Sequence, residues 1–312
     1  MSQTIPKPSI LAVFITYNPN LELLSDAIRA VMLQGCECLI VDNGSSSEVS
    51  PETLPKGIEL KLLEENLGLG AAQNIGITTA VKQKRDYILL LDQDSLPSST
   101  MVANLVRAHK AKSQVQKVGA VGPLYRNVRT QSESFFVRFG ALKFKRLSSA
   151  DQDSDACVET DFLISSGSLF APNVFATVGL MDEELFIDHV DTEWFLRARA
   201  MNHISYGVCD AVMQHDLGEA THKMKLAGRE RNVPQHKPFR YYYIFRNSIL
   251  LYKRNNLSKL WKWNDAQRLV MIGIMFGLVT APRIANLSMM VKGIWHGLLG
   301  RTGKLAQDVS SR

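Results

Sequence analysis

Asp92-Gln93-Asp94 places two carboxylates one residue apart, directly after the apolar run Tyr87-Ile88-Leu89-Leu90-Leu91. Such a run is expected as a buried strand of a parallel sheet. An α/β sheet binds its ligand at the carboxyl edge of such strands. Two carboxylates at that edge repel each other unless a cation sits between them. Oxygen ligands suit Mg²⁺ or Mn²⁺, which also accept oxygens from a substrate phosphate. An isolated D-x-D is equally consistent with a solvated loop, so its meaning depends on what stands beside it. Two further groups are candidates for chemistry. Asp188, Asp191 and Glu193 crowd the start of an amphipathic segment, and His215 follows the expected strand Val208 to Met213.

The elements that must position these groups alternate in type. Ile10 to Thr16 reads as a compact apolar strand, stopped by the turn signal Tyr17-Asn18-Pro19-Asn20. Leu21 to Leu33 carries apolar residues at 21, 24, 28, 31 and 32, the pattern of an amphipathic helix closed by Gly35. Leu39-Ile40-Val41 is the next strand and delivers Asp42-Asn43-Gly44-Ser45 into a loop. A short strand over 58–63, a Gly/Ala-rich helix over 68–80, the strand before Asp92 and one over 118–121 complete the series. This alternation predicts a doubly wound, mostly parallel sheet with flanking helices. Residues 123–157 break the rhythm with Phe135-Phe136-Val137 and Ala141-Leu142-Lys143-Phe144, the pattern of a β-hairpin insertion. A charged helix is expected over 185–202, and aromatic, basic and apolar helical segments follow Asp216.

Four polar or glycine-bearing loops therefore fall after successive strands. They are Thr16-Tyr17-Asn18, Asp42-Asn43-Gly44-Ser45, Asn66-Leu67-Gly68-Leu69-Gly70 and Asp92-Gln93-Asp94. In a parallel sheet they converge on one edge. Together with the stretch Asn66-x-Gly68-x-Gly70-Ala71-Ala72-x-Asn74-x-Gly76, they make the chain resemble the inverting, GT-A-fold glycosyltransferases of family 2 over roughly residues 8–255. The resemblance implies a mixed, mostly parallel GT-A sheet. It implies donor-nucleotide contacts from Thr16, Tyr17, Asn18, Asp42 (toward the base), Asn66, Gly68, Asn74 and Asp92. Metal ligation would fall to Asp94 with Asp92, and a late histidine of many such enzymes corresponds to His215. Counting back from Arg197 in Phe186-Ile187-Asp188-His189-Val190-Asp191-Thr192-Glu193-Trp194-Phe195-Leu196-Arg197, the family's base aspartate is Asp191. Val190 stands where the family carries a glutamate, which leaves Asp188 and Glu193 as rivals. On the residues alone, Asp191 could instead be a plain helix cap.

Ser166 and Gly167, Trp194 and Arg246 are the expected acceptor contacts. Ser165-Ser166-Gly167-Ser168 occupies the region that lines the acceptor site in relatives. Arg246-Asn247, Leu91-Asp92-Gln93-Asp94-Ser95, Phe186-Ile187-Asp188 and His215-Asp216-Leu217-Gly218 resemble bacterial rhamnosyltransferases of the family. That subgroup implies dTDP-L-rhamnose as donor; no residue chemistry in the sequence selects rhamnose. A UDP-sugar donor is the alternative.

The net charge of +6 is unevenly distributed. Residues 223–304 hold 16 Lys and Arg against two acids, Glu230 and Asp265, leaving −8 on the rest. This polarity points the C-terminal third toward an anionic partner. Leu269 to Ala281 is 13 apolar or near-apolar residues, shorter than the ~20 needed to span a bilayer. It is expected either as a core helix or as an interfacial one, with Lys259, Trp261, Lys262, Trp263, Arg268 and Arg283 as anchors. The expected organisation is a catalytic domain over 1–255, divided at about 122 into nucleotide and acceptor halves, with a basic helical extension over 256–312. Peripheral attachment to the cytoplasmic face of the membrane follows from the charge. No nucleic-acid motif accompanies the basic tract. Met1 to Pro8 has no apolar core and predicts no signal peptide, and four cysteines without a C-x-x-C pair predict a reduced, cytoplasmic protein.

The expected activity is inverting, metal-dependent transfer of a sugar to a lipid-linked saccharide acceptor in surface polysaccharide synthesis. A sugar nucleotidyltransferase would also use carboxylates and a nucleotide, but it would carry a Gly-rich, basic phosphate loop, which Thr16-Tyr17-Asn18-Pro19 is not. A non-catalytic saccharide- or membrane-binding protein could keep the fold and lose the chemistry.

Overall fold

In the computed structural model the described residues are 7–46, 49–127, 133–141, 143–215, 221–226 and 229–306. The apolar runs become strands whose alternate residues face two separate cores. In β1 (Ile10–Thr16), Leu11, Val13 and Ile15 pack on one side of the sheet and Ile10, Ala12 and Phe14 on the other. Strand β1 is followed by α1 (Leu21–Met32), whose first turn is capped by the Asn20 side chain accepting from the Glu22 and Leu23 amides. Then come β2 (Glu37–Asp42), β3 (Glu59–Leu62), α2 (Leu69–Lys82) and β4 (Tyr87–Asp92). Ala72, Ile77 and Ala80 of α2 cover the first face, and Leu24 and Ile28 of α1 the second.

The second half adds β5 (Ser95–Pro97), α3 (Met101–Ser113), β6 (Val118–Asn127), β7 (Phe136–Arg138), β8 (Lys145–Leu147), β9 (Cys157–Thr160), β10 (Leu169–Phe170), α4 (Asn173–Val178), α5 (Val190–Ala200) and β11 (Ile204–His215). The sheet order is β3-β2-β1-β4-β10-β6-β11-β5, with β9 also paired to β11. Strands β3, β2, β1 and β4 are mutually parallel, as are β6 and β11, while β10, β5 and β9 run antiparallel. The sheet is mixed and mostly parallel, as expected. The hairpin expected within 123–157 is β7 against β8, its second strand starting at Lys145 rather than Ala141. The helix expected from Leu185 begins only at Val190. Phe186, Asp188 and His189 have φ of +64°, +62° and +63°, which a right-handed helix cannot use.

After β11 come β12 (Thr221–Leu226) and β13 (Arg229–Pro234), a two-stranded antiparallel ribbon, then α6 (Pro238–Tyr252), α7 (Lys259–Ile272), a π-helical turn over Gly273–Val279 and α8 (Arg283–Leu298). Tyr241, Ile244, Phe245, Leu269, Met275, Phe276 and Met290 form a third small core joining these segments. Helix α8 lies close against α6 because Gly293 and Gly297 face it. A Cβ at Gly293 would sit 2.5 Å from the Tyr242 carbonyl oxygen, and one at Gly297 would sit 2.7 Å from the Ile249 Cβ. All four cysteines are buried free thiols.

Candidate active site

The loops at the carboxyl ends of β1, β2 and β4 are tied together by their own side chains. Thr16 Oγ1 donates to Asp42 Oδ2 at 2.8 Å, and the same carboxylate accepts the Ser45 amide (2.9 Å) and hydroxyl (2.6 Å). The Asn18 backbone amide donates to Ser45 Oγ at 2.7 Å, and Asn18 Oδ1 accepts from the Ser46 amide and hydroxyl. Gln93, between the two aspartates, accepts the Tyr17 amide at 2.8 Å. Asn43 bridges onward, accepting the Leu67 amide and donating to Asn66 and to the Gly68 carbonyl. Tyr17 and Leu67 stay exposed above this floor. Asp42 and Thr16 are buried in it, so they order the cradle. After its three bonds, Asp42 keeps spare acceptor capacity on Oδ1.

Beside the cradle lies a cluster of carboxylates. Burial, then the charges of Asp94 and Asp191, push the half-buried Asp92 carboxyl up to about 7, with Arg240 pulling the other way. Asp191, at the N-terminus of α5, is also raised by burial, against the pull of bonds from the Ser165 amide (3.3 Å) and the Thr192 amide (2.9 Å). Burial, then the charges of Asp92 and Asp191, hold the half-buried Tyr125 phenol well above its usual range, and it donates to the Ser166 carbonyl. Ser166 is the joint of this region. Its hydroxyl accepts the Asp92 amide at 2.9 Å and meets Ser95 Oγ at 2.8 Å. The backbone of His215 pairs with Ser95 in the β5–β11 ladder, one residue beyond Asp94. Among the described residues no three His, Cys, Asp or Glu side chains gather to hold an ion by themselves. The side chain of His215 lies outside what is described.

The segment before Asp191 is strained. The Ile187 amide bonds the Leu185 carbonyl at 2.8 Å across Phe186, whose φ of 64° and ψ of −64° make a positive-φ γ-turn. Asp188 and His189 follow in the left-handed region, and such residues cost about 1–3 kcal/mol each. Gly68 makes room for the turn: a Cβ there would lie 2.7 Å from the Phe186 carbonyl oxygen, and its φ of +93° suits only glycine. Asn74 braces the next turn upstream, accepting the Met181 amide and donating to the Met181 carbonyl and Glu183.

Residues 12–165 match the family described as Glycosyl transferase family 2. The chain is 31% identical over 255 residues to dTDP-rhamnosyl transferase RfbF of Shigella flexneri, covering 81% of this chain and 82% of that one. The chain belongs to glycosyl transferase family 2. It is also 24% identical over 262 residues to galactofuranosyltransferase GlfT1 of Mycolicibacterium smegmatis, covering 80% of this chain and 85% of that one. Its fold matches GalNAc-T7 crystallised with UDP, GalNAc and Mn²⁺ (TM-score 0.58, 14% identity, 94% of this chain and 56% of that one). It also matches S. aureus TarS 1–349 in complex with UDP-GlcNAc (TM-score 0.57, 12% identity, 94% and 81%). The chain thus spans little more than half of GalNAc-T7. The fold is GT-A, and the protein is a glycosyltransferase.

Within this family 2 transferase the four residues expected at the acceptor are all buried. Trp194 is fully buried against Phe170, Phe175 and Phe195 and donates its indole N–H to the Gly179 carbonyl at 2.9 Å. Arg246, also fully buried, donates to the carbonyls of Leu185 (2.9 Å), Glu184 and Gly303. Ser166 is committed to the loop joint described above, and Gly167 is pressed against Pro123 and Met213. Of the rivals to Asp191, Glu193 is buried and clamped by Arg197 (2.8 Å) and Arg254 (3.1 Å). Asp188 is paired with Arg240 at 2.6 Å. Asn66, half-buried, and Asn74, buried, both brace loops. The residues missed in the sequence are Gln93, Tyr125 and Arg240. Gln93 was legible as the middle of D-x-D; the other two are brought in from β6 and α6 by the chain path and left no local signal.

Proposed function

We propose that this transferase moves L-rhamnose from dTDP-L-rhamnose to a saccharide acceptor, with inversion, and that Asp191 is its base. The similarity to RfbF over four fifths of both chains carries the donor reading. The placement of Asp191 beside Asp92, at the edge where the donor loops meet, carries the catalytic one. Tyr17, Asn18 and Leu67 with Asp42 beneath them would receive the nucleotide. Asp191 would take the proton of the acceptor hydroxyl as its oxygen attacks the anomeric carbon opposite the diphosphate. The helix N-terminus and two amide donors hold that carboxylate toward its ionised form. Arg240 holds Asp188 aside, so Asp191 is the carboxylate left to accept a proton.

The carboxylates fit a divalent ion. Burial, then the charges of Asp94 and Asp191, force Asp92 toward its neutral form, and a cation would relieve the repulsion. Asp94 with Asp92 and His215 would hold Mg²⁺ or Mn²⁺, which neutralises the diphosphate as it leaves. Replacing Asp191 by Asn tests the base. Transfer should fall by ~10²–10⁴-fold while calorimetric binding of dTDP-L-rhamnose is kept; lost binding with retained transfer per bound donor would make Asp191 structural.

The chain is proposed as a catalytic unit over 1–255, with 1–122 for the nucleotide and 123–255 for the acceptor, and an extension over 256–312 that meets an anionic membrane surface. A lipid-linked saccharide is the acceptor class that fits such a surface, and the cytoplasmic leaflet its anionic source. No helix among the described residues is long and apolar enough to cross a membrane. The outer face of the extension nevertheless exposes Val270, Met271, Ile274, Leu278, Val279, Ile284, Val291 and Trp295, beside exposed Lys259, Trp263 and Arg283. Leu269, Met275 and Phe276 of the same segment are buried, so it is core on one side and open on the other. Three expected anchors are tied into the fold. Trp261 is buried, Lys262 donates to the Tyr252 and Arg254 carbonyls, and Arg268 is paired with Asp265.

A further inference from the structure

The left-handed segment before Asp191 is held almost entirely from α6. The Asn247 amide nitrogen lies 2.9 Å from the Leu185 carbonyl, 2.8 Å from that of Ile187 and 2.9 Å from that of Asp188. Its own carbonyl accepts from Arg246 Nε at 2.9 Å, which fixes the amide so that its hydrogens face the turn. One helix turn before, Tyr243 stacks on Phe186 with centroids 5.2 Å apart. Earlier still, Arg240 holds the Asp188 carboxylate at 2.6 Å. On the far side Ser248 Oγ meets His189 Nε2 at 3.0 Å, and Arg268 of α7 reaches the same nitrogen at 3.0 Å. Residues 240, 243 and 247 share one face of α6, so one surface meets Leu185, Phe186, Ile187 and Asp188, while His189 is met by Ser248 and Arg268 and the Leu69 amide also bonds the Phe186 carbonyl. Three positive-φ residues in four persist only where surrounding structure over-determines them.

We propose that Asn247 is a positioning residue for catalysis: it holds the strained turn that sets where Asp191 enters α5. This rests on the reading of Asp191 as the base. Without the Asn247 amide, three buried carbonyls lose their common donor, and the turn relaxes toward ordinary backbone. The first turn of α5 then shifts, and Asp191 moves relative to the donor loops. The nucleotide cradle, built from β1, β2 and β4, is untouched. The expected signature is therefore a loss of turnover without a loss of donor affinity.

The test compares Asn247→Ala with Asn264→Ala in the full chain. Asn264 donates to the Gly140 and Leu260 carbonyls, away from the turn, and serves as a control for the loss of a buried amide. The measurements are the thermal midpoint, the stoichiometry and Kd of dTDP-L-rhamnose with Mn²⁺, and the rate of dTDP release to water or a sugar acceptor. Asn247→Ala is expected to bind one donor with Kd within about threefold of the parent and to lose ~10²-fold in turnover. Asn264→Ala is expected to lose midpoint and keep turnover. Equal turnover per bound donor in both variants overturns the proposal. Should Asn247→Ala fail to fold, Asn247→Ser, which leaves one short donor in place of the amide, is expected to reduce turnover by about tenfold at unchanged Kd, and unchanged turnover overturns it. Retained turnover in Asp191→Asn would instead defeat the base reading, whatever Asn247→Ala shows.

Discussion

Asp92 shows at the scale of a single residue how burial and neighbouring carboxylates load this edge of the sheet. Its carboxyl is pushed up to about 7 from an ordinary 3.8 by burial and by Asp94 and Asp191. In the cation-free protein its proton is retained in the folded state and lost in the unfolded chain between those values. Its contribution to stability is therefore complete below about pH 4 and disappears as pH rises to about 7. Thermal midpoints from pH 4 to 8 in EDTA should fall more steeply for the native chain than for Asp92→Asn. Added Mn²⁺ should raise the native midpoint most above pH 7. Parallel curves for the two proteins would mean that Asp92 carries no such proton. The D-x-D spacing was legible because it needs only two residues and a preceding apolar run. The environment that raises Asp92 was not, because Asp191 lies a hundred residues away and Arg240 still farther.

At the scale of elements, the loop cradle after β1, β2 and β4 could be read directly, since each of its loops follows an apolar strand and strand order in a parallel sheet brings loop ends together. The packing of the second half could not. Ser166, Trp194 and Arg246 have side chains suited to sugar recognition, and only packing shows that each is spent on the fold. The late start of α5 was hidden for a related reason: nothing local in Phe186-Ile187-Asp188-His189 forbids a helix, and the left-handed turn is imposed from α6. Close packing of α8 on α6 supplies a sharper expectation. Gly293→Ala would drive a methyl into the Tyr242 carbonyl, so α8 must lift. The cost is expected at about 1–3 kcal/mol, seen as a lower thermal midpoint. An unchanged midpoint would show that the helices do not meet this closely in solution. Gly68→Ala, which adds a positive-φ penalty to a clash with Phe186, should lower both midpoint and turnover by disturbing the turn before Asp191. Full turnover would detach that turn from catalysis.

The whole molecule is electrically two-faced, with +14 gathered over residues 223–304 and −8 elsewhere. That asymmetry was visible in the sequence. Which residues of the extension face outward was not, because Trp261, Lys262 and Arg268 alternate with Trp263, Val270 and Met271 along the same helix. If the outer face meets an anionic bilayer, sedimentation with vesicles containing phosphatidylglycerol should exceed that with neutral vesicles and weaken as salt rises. Val291→Glu together with Trp295→Glu should abolish the retention and leave donor turnover in solution unchanged. Equal retention on neutral vesicles would assign the face to apolar contact alone. No retention on either would leave it to another partner.

The central claim concerns the sugar transferred, and release of nucleoside diphosphate from a set of donors tests it most directly. The purified chain would be offered dTDP-L-rhamnose, UDP-galactose, UDP-glucose and GDP-mannose, each with Mn²⁺, Mg²⁺ or EDTA. The account predicts turnover and binding with dTDP-L-rhamnose above the others, and loss of turnover in EDTA. Selective use of a UDP-sugar, or turnover indifferent to EDTA, would contradict it.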